Sequence, residues 1–393
     1  MESVELREWQ KNALRAFRAA NNRGIVEVAT GGGKTLFALR AFSLLRKAGI
    51  VSELLVVVPT LALQDQWYVD IQEDLQIEES EISVLDSRST DTDLRIANLV
   101  VINSARDLAI SPGKKSTIML VVDECHRAGS PENSRAIEGS WASTLGLSAT
   151  PERQYDDGML KYLEPSLGPR IFTYTVKEAI DDGVLSRFRL RNIEVPLLAS
   201  ESKRLDSLTR KIARAMSDDS DPDVVRTLLT QRARAYNGAV YRVPTTVTIM
   251  EQHRGERTLI FHESIERAEE ISAMLSERGH SVALYHSKIA APRRRENLRL
   301  FRKGVIDVLV TCRALDEGAN IPETRVAIIS ASTASTRQRI QRLGRVLRPA
   351  PGKSIATVYS LFATRFERER LERETRNLEG LAEIEWLRVT DGE

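Results

Sequence analysis

The chain has 393 residues, 42% of them apolar and 28% charged, with a formal net charge of +2. It is too long for one core, fits two or three domains, and its composition excludes the disordered, fibrous and membrane-embedded classes. The charge is unevenly placed: residues 293–348 hold 13 Lys/Arg against 5 Asp/Glu, whereas residues 70–93 hold 9 acidic residues against Arg88 alone. Such a basic tract suits a face that meets a polyanion, although a solvated surface would read the same way. Cys125 and Cys312 stand too far apart for a disulfide framework or a metal-ligand spacing. With no signal-peptide pattern and no apolar run of spanning length, the expectation is a cytoplasmic protein with no membrane partner.

Leu6-Arg7-Glu8-Trp9-Gln10 opens a stretch with Leu14 and Phe17 at helical spacing. This is a packing helix, or one whose Gln10 reads the edge of adenine with its paired donor and acceptor. The short apolar run Ile25 to Val28 then breaks into Thr30-Gly31-Gly32-Gly33-Lys34-Thr35, followed by Leu36, Leu39, Phe42 and Leu45 at helical spacing. Strand, glycine loop and helix start are the setting of a phosphate-binding loop, here in a relaxed form with Val28 where the general pattern has its first glycine. Glycines let backbone N–H groups face phosphate oxygens, and the helix adds its positive N-terminal end. Lys34 would reach the β- and γ-phosphates of ATP, and the Thr35 hydroxyl would ligate Mg²⁺. The competing account is a glycine-rich turn before an ordinary helix.

Further apolar runs too short for helices follow at Leu54–Val58, Ile82–Leu85, Leu99–Ile102, Ile118–Val122 and within Trp141–Ser148, with a helix over Leu61–Asp74. Alternation of this kind predicts a parallel sheet covered on both faces. Residues 200–240 turn polar and read as helical connecting material. A second alternation begins with a strand at Thr258–His262, a helix capped by Ser264, a strand at Val282–Tyr285 and a helix over Pro292–Lys303. Strands at Val308–Thr311, Val326–Ser330 and Ala356–Leu361 follow, with a helix over Arg337–Leu347 between the last two. Residues 365–376 alternate in charge and read as a solvated helix. The expected division is residues 1–198 as a first α/β domain, 199–252 as a helical connecting segment, and 253–393 as a second α/β domain.

Val121-Val122-Asp123-Glu124-Cys125-His126 ends an apolar strand with two carboxylates. Ligands of such sheets gather at the carboxyl ends of the strands. Asp123 would there hold the Mg²⁺ shell, and Glu124 would position and deprotonate the attacking water.

In this order the motifs resemble those of the superfamily 2 helicases and translocases, with Asp-Glu-Cys-His in place of the DEAD or DEAH box. The resemblance implies two RecA-like domains, each a parallel sheet flanked by helices, with an ATP cleft between them and with ATP and Mg²⁺ as cofactors. It places Arg7, Gln10, Thr30, Gly31, Gly32, Gly33, Lys34, Thr35, Asp316 and Gly318 around the nucleotide. Pro59, Thr60, Asn103, Ser104, His262, His286, Arg294 and Thr311 become candidate nucleic-acid contacts, of which His286 and Arg294 could equally be solvated surface. His126, Ser148 and Thr150 would couple hydrolysis to strand binding. In Gln341-Arg342-Leu343-Gly344-Arg345-Val346-Leu347-Arg348, Arg345 and Arg348 lie on one helix face and would be arginine fingers, with Gln341 touching the γ-phosphate or the water.

Within the superfamily the chain is most similar to the compact XPB/Ssl2-type branch, through Leu6-Arg7 with Gln10, Ser148-Ala149-Thr150-Pro151-Glu152-Arg153, and Gly168-Pro169-Arg170. His126 and Gln341 depart from the DEAD-box RNA helicase pattern. The implied function is therefore a nucleic-acid-dependent ATPase acting as a DNA helicase or duplex translocase, favouring duplex DNA over RNA and working with protein partner subunits. The alternatives are an RNA-dependent ATPase and a nucleic-acid-binding clamp that does not turn over ATP.

Overall fold

The computed structural model describes residues 5–29, 32–108, 117–148, 158–184, 188–218, 221–312, 324–331, 355–375 and 382–388. Thr30, Gly31, Thr150, Asp316, Gly318, Gln341, Arg345 and Arg348 lie outside the described residues, as does the helix expected over Arg337–Leu347. The chain divides into two compact units, one ending near residue 185 and the other beginning there.

The first unit runs α1 (Glu8–Ala19), β1 (Arg23–Val28), α2 (Lys34–Lys47), β2 (Glu53–Val58), α3 (Leu61–Leu75), β3 (Ile82–Leu85), β4 (Ala97–Val101) and the single turn α4 (Ile102–Ala105). It continues with β5 (Ile118–Asp123), β6 (Ser143–Ser148), α5 (Glu164–Leu167), β7 (Arg170–Tyr174) and α6 (Val176–Asp181). Its seven strands are all parallel, in the order β3-β4-β2-β5-β6-β1-β7. Strand side chains alternate between faces, and both faces are covered, so the strands read as unbroken apolar runs. Leu54, Val56 and Val58 of β2 enter the core that holds Trp9, Phe37, Phe42 and Trp67, while Leu55 and Val57 enter the core on the other side with Ile137 and Trp141.

The second unit begins with β8 (Phe188–Glu194), α7 (Ala199–Ser217), α8 (Pro222–Asn237), α9 (Arg242–Gln252), β9 (Thr258–His262), α10 (Ile265–Glu277) and β10 (Val282–Tyr285). After these come α11 (Ala291–Arg302), β11 (Val308–Cys312), β12 (Val326–Ile329), β13 (Ala356–Phe362), α12 (Arg365–Thr375) and β14 (Ala382–Arg388). Its sheet is again seven parallel strands, ordered β10-β11-β9-β12-β13-β8-β14. The boundary expected at residue 198 is corrected by β8, which pairs along its whole length with β13 and β14. Likewise α9, read as connecting material, buries Val243, Val247 and Met250 in the second core.

Arg242 of α9 is wholly buried. Its guanidinium donates to the carbonyls of Tyr236, Ser330 and Leu361 and pairs with Glu367 Oε1 at 2.6 Å. The expected solvated helix is thus half right: Arg365–Glu369 and Arg368–Glu372 pair on the surface of α12, but Glu367 points inward and ties α12 to Arg242 of α9, which reaches the ends of β12 and β13. Removing one member of a buried pair strands the other, at a cost of about 3–5 kcal/mol. Arg242→Ala is therefore expected to lower the thermal midpoint of the second unit by several degrees, whereas Arg365→Ala leaves it within a degree. Equal midpoints in a melting series would contradict this reading.

Candidate active site

The site lies at the carboxyl edge of the first sheet and starts from α1. Trp9 stacks on Tyr174 of β7, ring centroids 5.2 Å apart, and packs on Phe37 of α2 at 5.8 Å. Thus held, the start of α1 faces the glycine loop: Arg7 Nη1 donates to Gly32 O at 2.8 Å and Gln10 Nε2 donates to Gly33 O at 3.1 Å. The Gln10 amide oxygen accepts from the Arg7 backbone N–H at 2.9 Å, and the side chain is buried. Both ends of the amide expected to read adenine are thus engaged in the protein, where they brace the loop. Burial draws the Arg7 guanidinium below its usual pKa.

The glycines are needed for space. Gly33, the N-cap of α2, sits at φ +101°, and a Cβ there would lie 3.1 Å from Gln10 Nε2. One on Gly32 would fall 2.5 Å from the Val28 side chain. Beyond them the first N–H groups of α2 have no partner within the helix, which is the geometry that receives phosphate.

Lys34 and Glu124 come together across 90 residues of sequence: Lys34 Nζ lies 3.2 Å from Glu124 Oε1, both side chains nearly buried. Glu124 follows the last residue of β5 and takes φ +48°, ψ +50°, a left-handed conformation that costs a side-chain-bearing residue about 1–2 kcal/mol. Strain of this kind concentrates where geometry serves chemistry. The Glu124 N–H donates to Asp123 Oδ1 at 2.9 Å, and the Trp67 indole N–H of α3 donates to Asp123 Oδ2 at 2.9 Å. His126 Nδ1 stands 3.5 Å from Glu124 Oε2 and 3.1 Å from Ser148 Oγ at the end of β6. The expected coupling residues His126 and Ser148 are therefore in contact. Cys125 belongs to the core, and burial, together with Glu124, raises its thiol pKa well above the usual range.

Thr35 is buried in the first turn of α2. Among the described residues no group of three His, Cys, Asp or Glu side chains could hold a metal by itself. A hydroxyl and a carboxylate nonetheless fit Mg²⁺, a hard cation that keeps several waters and takes substrate phosphate oxygens as ligands.

The expected nucleic-acid contacts divide into two groups. Pro59 and Thr60 follow β2, Asn103 and Ser104 follow the adjacent β4, and all four keep some exposure. Thr60 N-caps α3 by accepting from the Leu63 N–H, and Asn103 accepts from Arg106. In the second unit His262, Thr311, His286 and Arg294 are buried. His262 Nδ1 accepts from the Ser264 N–H at 3.0 Å, and burial, with Arg242 and Arg267 adding to it, pulls its pKa down to about 3. A buried neutral imidazole offers phosphate no positive charge. His286 Nε2 faces Glu269 at 3.5 Å, and Arg294 donates to Ile289 O at 2.7 Å.

The imidazole of His262 also carries a pH dependence. Its folded pKa lies below its unfolded value of about 6.5, so the unfolded chain binds the extra proton. Stability is unaffected above pH 6.5 and falls as the pH drops from 6.5 toward 3, by up to about 1.4 kcal/mol per unit. His262→Asn, which keeps an acceptor for Ser264, is expected to move the acid-unfolding midpoint to lower pH. A midpoint unchanged in circular dichroism would exclude His262 as the source.

Two family models match the chain: "Type III restriction enzyme, res subunit" over residues 3–153, and "Helicase conserved C-terminal domain" over residues 241–350. The DNA 3'-5' translocase XPB2 of Sulfurisphaera tokodaii is 28% identical over 369 residues, covering 88% of this chain and 79% of that protein. The chain is thus similar in both of its matched regions to the helicases and translocases of superfamily 2, and over most of its length to those of the XPB branch. A second relative is the TFIIH basal transcription factor complex helicase/translocase XPB subunit of Trypanosoma brucei brucei. It is 26% identical over 92% of the chain, which spans only 39% of that relative. In fold the chain is similar to Saccharomyces cerevisiae Dbp5, with a TM-score of 0.66 at 14% identity over 98% of this chain and 90% of that one. No helix among the described residues is long and apolar enough to cross a membrane.

Trp67 is the residue of this site that sequence reasoning missed. Its spacing in α3 marks it as core, which it is. The only other signal was that a buried indole needs a partner for its N–H.

Proposed function

We propose that this chain is an ATP-driven DNA motor, a nucleic-acid-dependent ATPase acting as a DNA helicase or duplex translocase within a larger DNA-processing complex. The observation that carries the reading is the meeting of Lys34 and Glu124 at 3.2 Å beside a braced glycine loop. Lys34 and the first-turn N–H groups of α2 bind the β- and γ-phosphates. A phosphate oxygen that takes the Lys34 ammonium releases Glu124, whose carboxylate accepts the proton of the attacking water as the water oxygen bonds to the γ-phosphorus and the β–γ bridge breaks. Thr35 and Asp123 would hold Mg²⁺, which neutralises charge on the transferring phosphoryl group. Through Glu124, His126 and Ser148 the state of the site reaches the end of β6.

DNA as the track is supported by likeness to the XPB relatives, one a DNA translocase by name and one a subunit of a transcription factor complex. Pro59, Thr60, Asn103 and Ser104 would contact the phosphate backbone, giving affinity without sequence choice. A cytoplasmic site of action fits Cys125 and Cys312, both buried free thiols. Displacement of a third strand from a DNA triplex tests translocation. ATP-dependent release with duplex tracks is expected; hydrolysis without release from any DNA track, or release driven only by RNA, would overturn the DNA-motor reading.

A further inference from the structure

We propose that Trp67 is a positioning residue for the carboxylate of Asp123, setting how tightly the site holds Mg²⁺ when nucleotide is bound. The inference rests on the reading of Asp123 as the metal-holding carboxylate. Trp67 is fully buried on α3, and its one polar group is spent on Asp123 Oδ2 at 2.9 Å, 56 residues away in sequence. The Glu124 N–H takes Oδ1 from the other side at 2.9 Å. A carboxylate can rotate about its last bond; two donors fixed to different oxygens hold it in one plane. Of the two donors, the backbone N–H is fixed by the left-handed turn at Glu124, whereas the indole belongs to a separate helix. That helix begins at Thr60, its N-cap and a candidate nucleic-acid contact, two turns before Trp67. The end of α3 that would meet the polymer is thereby joined through one rigid helix to the carboxylate beside the phosphate loop.

Partners that orient a metal-binding carboxylate or imidazole typically contribute 10–100-fold to metal affinity. The test is a Mg²⁺ titration of the full chain at saturating ADP, with binding of a fluorescent ADP analogue in EDTA as the metal-free reference. Trp67→Phe keeps the aromatic packing and removes the N–H; it is expected to raise the half-saturating Mg²⁺ concentration at least 10-fold while metal-free nucleotide affinity stays within 2-fold. Trp141→Phe is the control, because it loses a buried indole bond to the Ile137 carbonyl, remote in kind from the carboxylates. It should lower the melting temperature and leave the Mg²⁺ curve in place. If Trp67→Phe behaves as Trp141→Phe does, Trp67 is only packing and the proposal is overturned. If Asp123→Asn also leaves the Mg²⁺ curve unmoved, the reading of Asp123 has failed instead. Should Trp67→Phe not fold, the native chain still decides. Of its four indole N–H resonances, the one displaced by Asp123→Asn must shift when Mg²⁺ is added to the ADP complex, and a stationary signal would overturn the proposal.

Discussion

Replacing Lys34 with alanine is expected to reduce ATP turnover by at least 100- to 1,000-fold and to weaken nucleotide binding as well. The ammonium lies 3.2 Å from the Glu124 carboxylate beside the glycine loop and is largely out of water. In so dry a place a fixed charge acts on the developing phosphoryl charge far more strongly than it would in solvent, and losing one such electrostatic group commonly costs two to three orders of magnitude. The substitution also removes a cation from beside Glu124, which raises the cost of bringing a polyanionic nucleotide there. Lys34→Arg should not restore turnover, because a planar guanidinium does not fill the place of a compact ammonium. Steady-state hydrolysis and nucleotide titration together check the prediction; retained turnover in Lys34→Ala would remove the phosphate loop from the mechanism.

Glu124→Gln should reduce turnover about as severely, by roughly 100- to 10,000-fold, the range of a lost general base. Its signature is different, because nucleotide affinity should be kept or improved. Glutamine preserves the shape at φ +48° and can still accept a hydrogen bond from Lys34, but it cannot take a proton from water. Removing the negative charge also frees Lys34 for phosphate. A variant that binds ATP tightly and holds it unhydrolysed is the expected product. Normal hydrolysis would reassign the base, and a loss of binding equal to that of Lys34→Ala would make Glu124 part of the cradle.

Much of this fold is written in local patterns. The central strands β2, β5, β9 and β11 are buried on both faces, so Leu54–Val58 or Val308–Thr311 announce themselves by composition alone. The strands that escaped reading are β7, which is short and begins on Arg170, and β8 and β14, which alternate polar and apolar residues over most of their length. In β8 and β14 the polar positions pair in register across the sheet: Arg189 with Glu383, Arg191 with Glu385 at 2.7 Å, and Arg388 with Glu194 at 2.8 Å. Each pair spans 194 residues, so neither strand carries the reason for its own pattern. The boundary placed at residue 198 followed from that omission.

The site shows the same division. Lys34-Thr35 and Asp123-Glu124 were legible because each is contiguous, the first closing a glycine loop that follows an apolar run and the second ending one. What braces them is not contiguous: Arg7 and Gln10 on the loop carbonyls, and Trp67 on Asp123, are contacts between separate elements. His262 shows the converse. A histidine ending a strand looks available, and only packing shows that it is sealed in.

The central claim is that this site turns over ATP in response to a DNA track, and steady-state hydrolysis by the purified chain tests it most directly, with no polymer, single-stranded DNA, duplex DNA or RNA added. The account predicts strong stimulation by duplex DNA, absent in Lys34→Ala and Glu124→Gln. Stimulation by RNA alone, or nucleotide bound with no turnover on any polymer, would contradict it.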